Sequence, residues 1–231
     1  METVHVYTAS WLYNPGFAPE PGGGIAVQNC RIVAVGSGAD LVSRYGPATA
    51  DYPGAVLMPG FVNAHTHLEL SHFPAWRCRD GLDYHPHRFV DWIVQMIKVR
   101  RGVSSEELLT SLKAGIAISV RSGTTAVGDI VTSPALLAAY TGSRLGGRLY
   151  LELIGQERES FQERLEQAVS ATTALPVDRG WGLSPHAPYT LHRSLLPLIA
   201  SAATDASLPL SLHMAESREE SDFLMTGGGA F

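Results

Sequence analysis

His65 and His67 stand one residue apart at the end of an apolar run that begins near Met58. In a β-strand, residues i and i+2 project from the same face, so this spacing lets one strand offer two imidazole nitrogens to one metal ion. A His-x-His pair also occurs on solvated strands, so alone it marks only a candidate. His213, followed three residues later by Glu216, would add a third nitrogen ligand and a carboxylate beside it. An imidazole-rich site with a position open to water suits one divalent ion, zinc first, with iron or manganese as rivals. Glu216 would then transfer protons close to that water; an ordinary surface pair is the other reading of His213 and Glu216. His186 is bracketed by Pro185 and Pro188, which fix the local backbone and can present one polar ring at a rim. Glu69 follows His67 by two and shares its face if the strand persists. His72, His85, His87 and His192 read as ordinary loop or surface residues, and Trp92 and Met96 as core.

The elements that must position these groups alternate. Val4 to Tyr13 and Ile25 to Val35 read as short strands, the second run pinched into two at Asn29-Cys30-Arg31, with Pro-Gly and Gly-rich punctuation between them. Residues 1–55 therefore form the N-terminal part of a small β-sandwich-like module, too short to bury a core alone. From Val56 the rhythm becomes strand, helix, strand, helix. The expected strands are Val56 to His67, Thr124 to Ile130, Arg148 to Ile154, Trp181 to Ser184 and Leu208 to His213. Between them come a long connection from Ser71 to His87 and helices over Arg88 to Arg101, from a capping box at Ser104 and Glu107 to near Gly123, and over Ala135 to Tyr140, Ser160 to Ala174 and Ser194 to Ala206. Ser217 and Glu220 cap a last helix that ends at the glycines from Gly227. Strands alternating with helices imply a parallel α/β sheet, open or barrel-shaped. No G-x-G-x-x-G or G-x-x-x-x-G-K-[ST] follows any strand, and the candidate residues lie at the C-terminal ends of several strands. That is where a (β/α)8 barrel builds its active site.

Bulk properties narrow the partners. A chain of 231 residues with 45% hydrophobic and 17% charged residues is globular, and its net charge of −5 gives no reason to expect nucleic acid or an anionic membrane. A small-molecule substrate is the expected partner. Two distant cysteines, Cys30 and Cys78, suggest reduced thiols without a disulfide framework. The first residues lack a basic stretch followed by an apolar one, and no window reaches the roughly 18 apolar residues of a membrane span, which makes the cytoplasm the expected compartment.

Taken together, PGFVNAHTHLE on the first strand, PHAPYT after the fourth and H-x-A-E at the end of the fifth resemble the amidohydrolase superfamily, in its cytosine-deaminase-like and chlorohydrolase-like branch. HTHLELS, FVDWI and HMAESREESDFL before a glycine cluster are similar to the aminodeoxyfutalosine deaminase-like group within it. The resemblance implies a TIM-type (β/α)8 barrel with a small β-module, His65, His67 and His213 as metal ligands, Glu216 as proton shuttle, and His186 as a contact to substrate or tetrahedral intermediate, with Glu69 as a further substrate contact. The implied reaction is hydrolytic deamination of an amino-substituted heterocycle or nucleoside by metal-bound hydroxide, with release of ammonia. Alternatives are hydrolysis of C–Cl or cyclic amide bonds with the same metal set, or an inactive metal-binding fragment. Five strand-helix units occupy residues 56–231, at about 35 residues each, whereas eight would need about 280. The chain is thus expected to be an N-terminal fragment with an incomplete barrel, inactive or nearly so by itself and prone to self-association into a homo-oligomer.

Overall fold

A computed structural model describes residues 3–81, 88–174 and 179–231. The chain divides into two compact units, Met1–Gly60 and Phe61–Phe231. His85 and His87 lie outside the described residues, and with them the end of the connection expected from Ser71 to His87.

In the first unit, β1 (His5–Leu12), β2 (Glu20–Pro21), β3 (Gly23–Gln28) and β4 (Arg31–Ser37) form a sheet in the order β2-β1-β3-β4, and β5 (Ala50–Leu57) pairs with β1 in parallel. The pinch read at Asn29-Cys30-Arg31 is a tight hairpin turn. Asn29 (φ 52°) and Cys30 (φ 59°) are both left-handed, the twist that lets a two-residue loop join β3 to β4 without splaying them. Between β4 and β5 lies α1 (Gly38–Tyr45), which the sequence reading did not anticipate. Its Leu41 packs on Val6 and Ala26 as a buried cluster, so the module has a small core of its own.

The run expected as one strand from Val56 to His67 is two. β5 ends at Leu57, and β6 (Phe61–Thr66) begins after the Pro59-Gly60 break. In the second unit β6 pairs in parallel with β7 (Thr124–Val131), β7 with β8 (Gly146–Leu153), and β8 with β9 (Gly180–Pro185). After β6 come α2 (Phe73–Arg79), inside the stretch expected as a plain connection, then α3 (Phe89–Arg101) and α4 (Ser105–Arg121). The Ser104–Glu107 capping box is formed in both directions, so α4 starts where its sequence says. A 3-10 turn, Pro134–Tyr140, follows β7, and α5 (Arg158–Ala174) follows β8. After β9 come α6 (Leu196–Asp205) and α7 (Arg218–Thr226). The core lies on one side of the sheet: Leu149, Leu151 and Leu153 of β8 and Leu183 of β9 are buried with Leu112, Phe161, Leu195 and Ile199 from the helices and the turns before them.

The fifth expected strand, Leu208 to His213, is not a regular strand. It runs beside β9 on a single bridge, Leu183 to Leu210, with Leu183 N–H donating to Pro209 O (3.0 Å) and Ser211 N–H to Leu183 O (3.0 Å). Pro209 has no amide to donate, which interrupts a ladder. The segment still delivers His213, whose N–H donates to His186 O at 2.9 Å. Among the described residues no helix is long and apolar enough to cross a membrane.

Candidate metal centre

The period of β6 does what the His-x-His spacing requires. His65 is the penultimate residue of the strand and His67 follows its end, and their ring centroids lie 5.2 Å apart. His213 joins them from the segment beside β9, with its ring centroid 4.8 Å from that of His65 and 5.3 Å from that of His67. One ligand atom from each of the three lies within 4.8 Å of the others.

Electrostatics favour the form that ligates. Burial, with His213, His65 and His186 nearby, lowers the His67 pKa to about 3. Desolvation lowers His65 as well, reinforced by His213 and opposed by Glu216. Neutral imidazole is the state with a lone pair for a metal, so this donor set fits a divalent cation at neutral pH. The fit rests on the donors themselves: three nitrogens converging from two segments.

Glu216 is placed at His213. Its Oε1 lies 3.3 Å from His213 Nδ1, and its side chain is 39% exposed against 10% for the histidine, so the carboxylate orients the ring while remaining open to solvent. Ala215 is left-handed (φ 55°), a conformation costly for a residue with a Cβ. What holds it is Glu220, fully buried in α7, whose carboxylate accepts from Ala215 N–H (3.0 Å) and Glu216 N–H (2.8 Å). Glu220 was expected as a helix cap. Ser217 does accept from Glu220 N–H, but the Glu220 carboxylate serves the turn that presents Glu216.

His186 follows β9, and its ring centroid is 5.2 Å from that of His213. Its N–H donates to Leu153 O, and its Nδ1 lies 3.0 Å from Thr190 Oγ1, so the PHAPYT segment folds back to brace its own histidine. Burial, then His213, lowers its pKa to about 4. Glu69 is not brought to the histidines. The strand ends at Thr66, and the 3-10 turn Leu68–Leu70 rotates Glu69 into the interior, where it is 1% exposed. Its two carboxylate oxygens accept from Thr132 N–H (3.0 Å) and Thr132 Oγ1–H (2.7 Å). Its role here is to fasten the turn after His67 to the end of β7.

Asp129 of β7 does the same for the next residue along. Fully buried, it accepts from Leu68 N–H at 2.8 Å and from the hydroxyl of Tyr140. Desolvation outweighs both hydrogen bonds and raises its pKa to about 7. Glu152, on β8, is the other residue missed. Its carboxylate, His186 and His213 offer ligand atoms within 4.8 Å of one another. Its signal was present in the sequence: on a strand whose Leu149, Leu151 and Leu153 face the core, Glu152 shares the opposite face with Arg148 and Tyr150, at the strand's C-terminal end. Of the histidines read as ordinary, His72 N–H donates to Ser111 and His192 Nδ1 lies 2.7 Å from Ser194 Oγ. Cys30 and Cys78 are free and exposed.

Residues 56–230 match the family described as "Amidohydrolase family". The chain belongs to the amidohydrolase family. Among curated proteins, it is 30% identical over 236 residues to an aminodeoxyfutalosine deaminase of Deinococcus radiodurans, an alignment covering 96% of this chain and 51% of that protein. Among solved structures, a Helicobacter pylori aminofutalosine deaminase in complex with methylthio-coformycin superposes with a TM-score of 0.82 at 24% identity, over 97% of this chain and 54% of that one. An adenosine deaminase from Xanthomonas campestris with bound zinc superposes with a TM-score of 0.72 at 22% identity, covering 97% and 53%. The amidohydrolase chain thus spans about half the length of the curated relatives it matches, and the two superpositions establish the amidohydrolase-type α/β fold of its parallel sheet.

Proposed function

We propose that this chain carries the metal-binding and proton-transferring part of a hydrolytic deaminase acting on an amino-substituted heterocycle or nucleoside. The observation that carries the reading is the convergence of His65, His67 and His213, with Glu216 on His213 and His186 beside it. The deaminase names of the relatives support it. His65, His67 and His213 would hold one divalent ion; zinc suits the three imidazoles best, and the zinc in the Xanthomonas relative points the same way. When bound, the ion supplies activation of water as a nucleophile near neutral pH.

The chain's own residues supply the rest. Glu216, open to solvent with its Oε1 3.3 Å from His213 Nδ1, delivers a proton to a ring nitrogen of the substrate, so that the carbon bearing the amino group can accept water's oxygen. The C–N bond then breaks, the amino group leaves as ammonia after gaining one of water's two protons, and the ring keeps a carbonyl with the other proton on its ring nitrogen. His186, braced by Thr190, contacts the substrate where charge develops. Glu69, Asp129 and Glu220 fix the backbone of the segments that carry these residues. A substrate panel tests the reading. Ammonia release from amino-substituted purines or their nucleosides, slow in a chain spanning about half its relatives' length but abolished by chelation and lost in Glu216→Gln, is the expected result. Chloride release or ring opening in place of ammonia overturns deamination.

A further inference from the structure

His213 stands between two sets of donors. His65 and His67 are one set, and Glu152 and His186 are the other, each set placing its ligand atoms within 4.8 Å of one another and of His213. The second set is built as firmly as the first. Strand pairing of Glu152 with Ser184 and of Leu153 with Pro185 puts Glu152 beside the end of β9, where His186 emerges. Backbone bonds from His186 N–H to Leu153 O (3.1 Å) and from His213 N–H to His186 O (2.9 Å) then tie the three residues together. Thr190 engages His186 Nδ1, which leaves Nε2 as the nitrogen available for a ligand. Glu152 is mostly buried, yet no hydrogen bond reaches its carboxylate among the described residues. Burial and the neighbouring Glu69 make a charged carboxylate costly there, Arg100 offsets only part of this, and a cation held jointly with two imidazoles would relieve that cost.

We infer that Glu152, His186 and His213 form a second divalent-cation position, mutually exclusive with the one at His65, His67 and His213. Exclusivity follows from His213: a neutral imidazole has one lone pair, so it serves one ion at a time. The two positions also differ in hardness. Three imidazoles favour zinc, whereas the carboxylate gives the second position a harder donor set that suits Mn2+. An ion there occupies His186 and keeps it from a substrate, so the second position is a holding place rather than a working one.

The test reads bound metal alone and is independent of any deamination assay. The purified chain with His65→Ala and His67→Ala, checked for native circular dichroism, is titrated with Mn2+ while free Mn2+ is followed by electron paramagnetic resonance. One Mn2+ per chain is expected, with affinity falling at least 10-fold when Glu152→Gln is added. If the double variant does not fold, His67→Gln serves in its place with the same comparison. In the unsubstituted chain, one equivalent of Zn2+ should displace all bound Mn2+. No Mn2+ bound by a folded variant, binding indifferent to Glu152→Gln, or two ions bound at once to the unsubstituted chain would each overturn the inference.

Discussion

Replacing Asp129 by alanine should loosen the residues that seat His67. Asp129 accepts from Leu68 N–H, the amide next to His67, and from the Tyr140 hydroxyl, and both it and Tyr140 are buried. Asp129→Ala therefore strands two buried donors at once. Each unsatisfied buried donor costs about 1–3 kcal/mol, so the pair amounts to roughly 2–6 kcal/mol, a large part of the 5–15 kcal/mol that typically separates folded from unfolded chains. Tyr140→Phe removes one donor and leaves Asp129 on Leu68, so it should cost about 1 kcal/mol. Urea unfolding of the metal-free chain at pH 7, followed by circular dichroism, measures both. Zinc affinity should fall in parallel in Asp129→Ala, because the same amide positions the ligand. If Asp129→Ala unfolds within about 0.5 kcal/mol of the unsubstituted chain, the carboxylate does not hold this segment and the reasoning fails.

Two further perturbations probe the same region. A Cβ at Gly128 would lie 2.2 Å from Ala64 O, on the strand that carries His65, so Gly128→Ala should destabilise by about 1–3 kcal/mol or more and weaken zinc binding. At Gly102 the nearest atom is 3.5 Å from such a Cβ, and Gly102→Ala should change stability by less than about 0.5 kcal/mol in the same melts. The pH dependence of the metal-free chain separates acid from base. Asp129 rises from 3.8 to about 7 on folding, so the folded state binds the extra proton and stability from this group is lost as pH climbs from 4 to 7. His67, lowered to about 3, has the opposite slope, losing stability as pH falls below 6.5. Subtracting an Asp129→Asn unfolding series isolates the acid. The difference should decline by up to about 4 kcal/mol between pH 4 and 7, and a flat difference would refute the assignment.

What could be read from sequence was what depends on near neighbours. The His-x-His pair needs only the two-residue period of a strand, and the Ser104–Glu107 box needs only three residues of helix; both are formed. The hairpin at Asn29-Cys30 is equally local. Glu69 shows where that reasoning stops. Its face depended on the strand continuing past His67, and the chain instead turns at Leu68 to reach Thr132, across 63 positions of sequence. Asp129 and Leu68 are 61 positions apart, and Glu152 meets His186 only through the register of β8 and β9. The fifth expected strand failed for a related reason: its apolar residues suited a strand, but Pro209 sits in the ladder, and pairing with β9 survives as one bridge. Helices α1 and α2 are short, eight and seven residues, and packing rather than a long periodic pattern sustains them.

The central claim is that three histidines from two separate segments form one metal site, and His213 is the residue on which both triads depend. Zinc bound after equilibrium dialysis, counted by elemental analysis, addresses it directly. The unsubstituted chain and a His72→Ala control should each retain one zinc per chain, whereas His213→Ala should retain none. Zinc held equally well by a folded His213→Ala variant would contradict the account.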